Sequence, residues 1–523
     1  MRKLIYVCIV LIAFCTSCFD DESNLDIKEL NPIRIENIDL RKNFFSLFMG
    51  DTLRIEPLVF CEGIPDSELA YEWQLSGGTI VPTVIDSTMY LCAEITAPPY
   101  STGGGYFLKF TITDKTTGIS RIEPFYVEVL SPYGEGILIA DTKDDGLHSD
   151  ISLVMSREVS SSITSTNSKI NIFRNLWSKN NGAPLDGRVL DAITSIYGTN
   201  RSLTVVTTEH IYRADNIDFI NIPSEMDEAI FGLVVPPNIG HGYSNALFSI
   251  YNPTKHEILS ANGMVATRSC QNGARTFGYT LYPPKIKNYN VTMMYGPKSY
   301  YPVYAYDALG KQMLFFDFSK SWSPQEQAIG SLFDVGDLSA YEPFYLSEMS
   351  SGITLLTKQL SGGEYKALVM NKLNGNGANY AKAVYDFSAA TNINKAKYFE
   401  LNQLEDAVYY ATDEEVYVTP MASINAQVQW RVPAGSGDKI TGIKIYKWSG
   451  GQCRYPNGQD GESFVSSVNR MLMITTYNEA TKEGKVTLVP IVTLGVGGLE
   501  QNQEYHVVLS GFGKILGIYK QNK

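Results

Sequence analysis

Alternation with a period of two dominates this chain. In "DTLRIEPLVF" (51–60), Leu53, Ile55, Pro57 and Val59 share one face while Arg54 and Glu56 take the other. That pattern marks a strand with one buried face. "YEWQLSG" (71–77) sets Trp73 inside a strand, and "YFLKFTITD" (106–114) turns Tyr106, Leu108, Phe110 and Ile112 inward. "FYVEVLSP" (125–132) alternates Phe125, Val127 and Val129 against Tyr126 and Glu128. Short alternating strands with Gly, Pro and Ser turns and one central Trp predict an immunoglobulin-like β-sandwich over residues 33–131. "SPYGEG" (131–136) reads as the hinge after it.

From residue 132 to 523 the pattern changes to a recurring unit of strand, polar turn, strand. It begins at Ile137, Ser202, Ala246, Tyr301, Gly352, Asp406 and Met471. Each unit reads as the central hairpin of a blade, and seven at such spacing predict a β-propeller. The repeats share a pattern rather than residues, so a large irregular sandwich is the alternative. "KILGIYK" (514–520) has no hairpin partner of its own, and a ring needs closure. It is expected to pair with the first blade near Ile137.

Composition supports an all-β chain, with 33 Tyr, 43 Gly and only five His. The net charge of −12 disfavours nucleic acid and anionic lipid as partners, because both call for basic patches. The cysteines are too dispersed for a disulfide framework, and Cys61 and Cys92 lie on opposite parities of their strands. They are expected to be thiols. No spacing suits a zinc site, and no metal or other cofactor is expected.

The N-terminus opens with Met1-Arg2-Lys3 and the apolar run "LIYVCIVLIAF", which is too short for a spanning helix. Residues 1–17 have the proportions of a secretory signal. Thr16-Ser17-Cys18 resembles a bacterial lipobox, which implies lipidation at Cys18. Residues 18–32 then form an acidic tether. Its run Asp20, Asp21 and Glu22 resembles the surface-export signal of Bacteroidota lipoproteins. Removing residues 1–17 leaves 41 basic against 55 acidic side chains, a net charge of −14.

Lipobox, acidic tether, a sandwich carrying "YEWQLSG", then "YGEGILIADTKDDGLHSDISLVM" opening the repeats: in that order the chain resembles the PKD-like lipoprotein family of Bacteroidota. The resemblance implies a surface lipoprotein of the outer membrane, accessory to a Sus-type (starch-utilisation-like) nutrient importer. Its implied partners are a TonB-dependent barrel and the barrel's substrate-binding lipoprotein. "YEWQLSGG" departs from the Trp-Asp-Phe-Gly-Asp-Gly pattern of true polycystic-kidney-disease repeats, so their calcium and adhesion roles do not carry over.

Catalytic signals are scarce. There is no His-Glu-x-x-His and no Gly-x-Ser-x-Gly, so no catalytic residue is assigned and the chain is expected not to be an enzyme. A glycan-degrading propeller hydrolase or lyase is the alternative. "DTKDDG" (141–146) offers Asp141 and Asp145 to a calcium ion, but Lys143 takes a ligand place and Ser152 stands where a bidentate Glu is needed. A turn on Asp145-Gly146 accounts for it better. The Tyr-rich stretch 277–306 is unusual, and Tyr282, Tyr289 and Tyr295 are candidate contacts for a partner or ligand.

Cys18→Ala is expected to abolish membrane retention and leave the fold intact. Fractionation with the outer membrane after a salt wash checks this, and retention there would remove lipid as the anchor.

Overall fold

A computed structural model describes residues 32–35, 43–77, 80–97, 105–130, 133–163, 170–197, 200–232, 235, 239–240, 242–251, 256–269, 276–279, 288–296, 302–316, 321–322, 331–372, 380–457 and 461–522. Cys18, Asp20, Asp21, Glu22 and Tyr282 lie outside them. The chain forms two units, Met1–Ser131 and Pro132–Lys523. Among the described residues no helix is long and apolar enough to cross a membrane.

The first unit is a β-sandwich. Its main sheet runs Phe44–Phe48, Ser120–Leu130, Tyr106–Asp114, Leu69–Gly77, Ile80–Asp86. The first pair is parallel, with Phe44 opposite Tyr126, and the others are antiparallel. Thr52–Ile55 pairs with Leu91–Glu94 in a second sheet. Inward residues follow the alternation: Tyr106, Leu108, Phe110 and Ile112 are buried, as are Phe125, Val127 and Val129. Trp73 is fully buried, stacked 4.0 Å from Phe110. Its indole N–H donates to the Thr88 carbonyl at 3.0 Å, which satisfies the one polar atom that burial would leave costly. Cys92 faces outward, and Cys61, Cys92 and Cys453 form no disulfide.

The second unit is a seven-bladed β-propeller. Blade 1 holds Gly136–Thr142, His148–Met155 and Asn171–Phe173. Blades 2 to 7 begin with the strands Val189–Tyr197, Ala246–Tyr251, Val291–Tyr295, Tyr341–Met349, Tyr398–Leu401 and Asp438–Ile445, which lie side by side around the ring. Second strands such as Val303–Asp307, Ala407–Ala411 and Met471–Asn478 are buried along their whole length. Neighbouring blades cover both of their faces, which is why "AVYYA" reads as a continuous apolar run instead of alternating. Separate cores fill the gaps between blades, such as Ile258, Val291 and Phe316 between blades 3 and 4.

Most of the predicted units are central hairpins of blades. The one at Ala246 is not, because Ala246–Tyr251 is the innermost strand of its blade and pairs outward with His256–Ala261. "DTKDDG" is a hairpin turn. Asp145 and Gly146 both have positive φ, at 56° and 94°, and Asp144 binds the His148 ring at 2.7 Å.

Closure is made by the C-terminal strand. Lys514–Gln521 pairs antiparallel with Gly136–Thr142, with Ile137 opposite Lys520, and becomes the innermost strand of blade 1. Lys520 Nζ donates to Glu135 Oε1 at 2.8 Å, to the Tyr446 hydroxyl at 2.8 Å and to the Val159 carbonyl at 2.9 Å. Gln521 Nε2 donates to the Asn216 carbonyl at 2.7 Å. The strand therefore bonds to blades 1, 2 and 7 together.

Deleting residues 510–523 should abolish the parent thermal transition and expose a strand edge that aggregates. Lys520→Met should cost about 3–5 kcal/mol, because it leaves Glu135 buried without its cation. Adding Glu135→Gln should recover part of that loss. A truncated protein melting at the parent temperature would show that the ring stands without this strand.

Candidate functional site

The innermost strands and the residues just after them surround the propeller axis. Together they line a cavity of about 580 Å³ to which all seven blades contribute. That size suits a small-molecule site. Its apolar wall includes Phe248, Met293, Met294, Phe344 and Trp448.

Two polar clusters repeat one geometry from blade to blade. The Tyr295 hydroxyl, on blade 4, donates to Glu348 Oε2 on blade 5 at 2.7 Å. The Tyr345 hydroxyl, on blade 5, donates to Glu400 Oε1 on blade 6 at 2.7 Å. Glu348 also accepts from Gln403 Nε2 at 2.9 Å and pairs with Lys372. Glu400 accepts from Lys447 Nζ at 2.7 Å and from the Ile445 N–H at 3.2 Å, and Lys447 donates onward to Ser347 Oγ at 2.8 Å. Burial, followed by the carboxylate each one faces, pushes the Tyr295 and Tyr345 hydroxyls well above the usual tyrosine range. Both are donors there, and neither serves as a base.

A third group lies deeper. Asp191, Leu247, Lys444 and Tyr519 line the main cavity and also a second one of about 330 Å³, so they stand where the two meet. Asp191 accepts from the Phe248 N–H at 2.6 Å and the Ala192 N–H at 2.9 Å. Lys444 donates to the Ile518 carbonyl at 2.9 Å and lies 5.1 Å and 5.5 Å from the ring centres of Trp448 and Tyr519. Burial raises Asp191 to about 6 against the opposing pull of Lys444. Burial also lowers Lys444, opposed by Asp191 and Glu400.

Tyr295 belongs to this cavity, at the end of the strand Val291–Tyr295. Tyr289 corrects the sequence expectation. It is 4% exposed, packed between blades 3 and 4 with its hydroxyl accepting from the Val265 N–H, and offers no contact surface. Val291–Tyr295 has to start a blade, and that draws Tyr289 into the interblade core. His148 and His210 pair with Asp144 and Asp227 and do not line the cavity. Among the described residues no three His, Cys, Asp or Glu side chains gather as a metal site.

Sequence reasoning missed Asp191, Glu348, Glu400, Lys444 and Lys447. A signal for Glu348, Lys444 and Lys447 was present: "FYLSEM" (344–349) and "IKIYKW" (443–448) put charges into apolar runs.

The sequence model of the PKD-like family matches residues 18–188, which takes in the sandwich and the opening of the propeller. No curated protein matches the chain. Solved structures resemble it at low identity. One is a quinonprotein alcohol dehydrogenase-like protein from Bacteroides thetaiotaomicron, 13% identical over 94% of this chain and 99% of its own, with a TM-score of 0.32. Another is the dihydro-heme d1 dehydrogenase NirN, 8% identical over 75% of this chain and 76% of its own, TM-score 0.39. AztD from Citrobacter koseri is 8% identical over 86% of this chain and 98% of its own, TM-score 0.34.

The raised Asp191 makes a testable pH signature. The folded protein holds that proton more tightly than an unfolded chain, whose aspartates titrate near 3.9. Its contribution to stability therefore falls as pH rises from about 4 to about 6, then levels off. Asp191→Asn should gain on the parent across that window, by up to about 3 kcal/mol. Melting temperatures of both proteins between pH 4 and 7 check it. A difference that stays flat would show Asp191 already ionised at pH 4.

Proposed function

We propose that this β-propeller protein is a surface-exposed, lipid-anchored outer-membrane protein, a non-catalytic accessory subunit of a Sus-type nutrient importer. It holds a small ligand in the propeller channel and presents it to the importer. One observation carries the ligand-holding part. The channel is sized for a small molecule and walled by aromatic and Met side chains, and Glu348 and Glu400 are already engaged by a tyrosine and a lysine each. Such groups orient a ligand; they are not poised to exchange protons with it. The anchor at Cys18 and the acidic run after it support the location, since a multiply acylated cysteine anchors stably. The resemblance to PKD-like lipoproteins supports the importer as partner.

A second reading keeps weight. Two buried carboxylates, Glu400 on the channel wall and Glu348 bonded to the wall residue Gln403, are also what a glycan hydrolase or lyase would need.

Affinity purification of the native protein from detergent-solubilised outer membranes should bring down a TonB-dependent barrel and its binding lipoprotein. Purified protein alone should leave glycans and peptides intact. Recovery as a lone monomer would remove the importer role. Turnover that Glu348→Gln or Glu400→Gln abolishes would establish the enzyme.

A further inference from the structure

The charges in and beside the channel are not equally provided for. Glu348 has Lys372, Glu400 has Lys447, and Lys520 has Glu135. Asp191 and Lys444 differ from all of these. The hydrogen bonds of Asp191 come from two backbone N–H groups, and that of Lys444 goes to one backbone carbonyl. Among the described residues no group of opposite charge lies within ion-pair distance of either. An ammonium carries three donors and a carboxylate about four acceptor positions, so both keep unused capacity.

Position sharpens the point. Both side chains stand where the two cavities meet, against a wall that includes Leu247, Met293 and Trp448. Asp191 and Lys444 feel each other's charge without forming an ion pair, and a group that bridges them would pair both. Burial drives each toward its neutral form. A bound group of opposite charge would draw each back.

Resting on the ligand-holding reading above, we propose that the junction of the two cavities binds a small apolar zwitterion, of the amino-acid or short-peptide class. Its ammonium sits on Asp191, its carboxylate on Lys444, and its side chain against the Met and aromatic wall. A neutral glycan fits this chemistry poorly. It has no charge to offer either group.

The test uses the whole mature protein and calorimetric titration with leucine, leucyl-leucine, their N-acetyl and methyl-ester forms, and cellobiose. Leucine or leucyl-leucine should bind, and blocking either end should weaken binding by about tenfold or more, the loss of one charge-assisted hydrogen bond. Binding of one of the two and not the other identifies the free amino acid or the peptide as the source. Lys444→Met should erase the penalty of esterification, and Asp191→Asn that of acetylation. The blocked ligands on the parent protein keep the test independent of whether either variant folds. Equal binding of blocked and free forms overturns the inference, as does failure of both zwitterions to bind. Cellobiose binding in their place would also sink the zwitterion while keeping the ligand-holding role. Co-purification with the importer is a separate measurement that none of these outcomes touches.

Discussion

The propeller depends on one closure. Seven blades packed by their faces would still be an open arc if the first and last did not share a sheet. Lys514–Gln521 supplies that sheet, reaching back across nearly four hundred residues to pair with Gly136–Thr142. The ladder alone would fix register weakly, since both strands are apolar and a slip of two residues keeps every side chain on its face. The polar contacts set the register. Lys520 reaches Glu135, Tyr446 and Val159 only when it lies opposite Ile137, and a slip would leave a buried ion pair unmade. Blades 1, 2 and 7 are locked in one stroke.

The remaining blades join in a more distributed way. Apolar cores fill the gaps between them, and the Tyr295–Glu348 and Tyr345–Glu400 bonds cross them on the channel side. The strand Tyr341–Met349 carries both halves of the device. Its Glu348 accepts from the blade before, and its Tyr345 donates to the blade after. Two positions three apart on one strand thus face both neighbours. The donors are neutral hydroxyls, so each latch brings one charge into the channel and a lysine compensates it.

The architecture was largely legible in the sequence, for a physical reason. Sandwich strands have one wet face, so Leu53-Arg54-Ile55-Glu56 announces itself by alternation. Central blade strands are covered on both faces and announce themselves as unbroken apolar runs flanked by polar turns. Innermost strands do neither. They face a channel that is partly polar, and their register is set by neighbours far away in sequence. That is why Val291–Tyr295 was not among the predicted strands, why Ala246–Tyr251 read as part of a central hairpin, and why Tyr289 read as a candidate contact. The candidate site is built from those strands and the residues just after them, so it was the least legible part. Tyr295 was found for its ring, without the Glu348 that gives the ring its place.

Polar residues on the innermost strands do two different jobs, and their bonding tells them apart. Glu348 and Glu400 each contact a neighbouring blade through side chains, so removing either would loosen the ring whatever the channel holds. Asp191 touches blade 3 through one backbone N–H, and Lys444 reaches blade 1 through one carbonyl. A neutral side chain of similar shape could make either of those cross-blade bonds without the charge, Asn at 191 giving up only the bond from the Ala192 N–H. Structure therefore does not require the charges at these two positions, and burial opposes them. Charges that cost stability and latch nothing are the ones whose presence the fold itself does not explain.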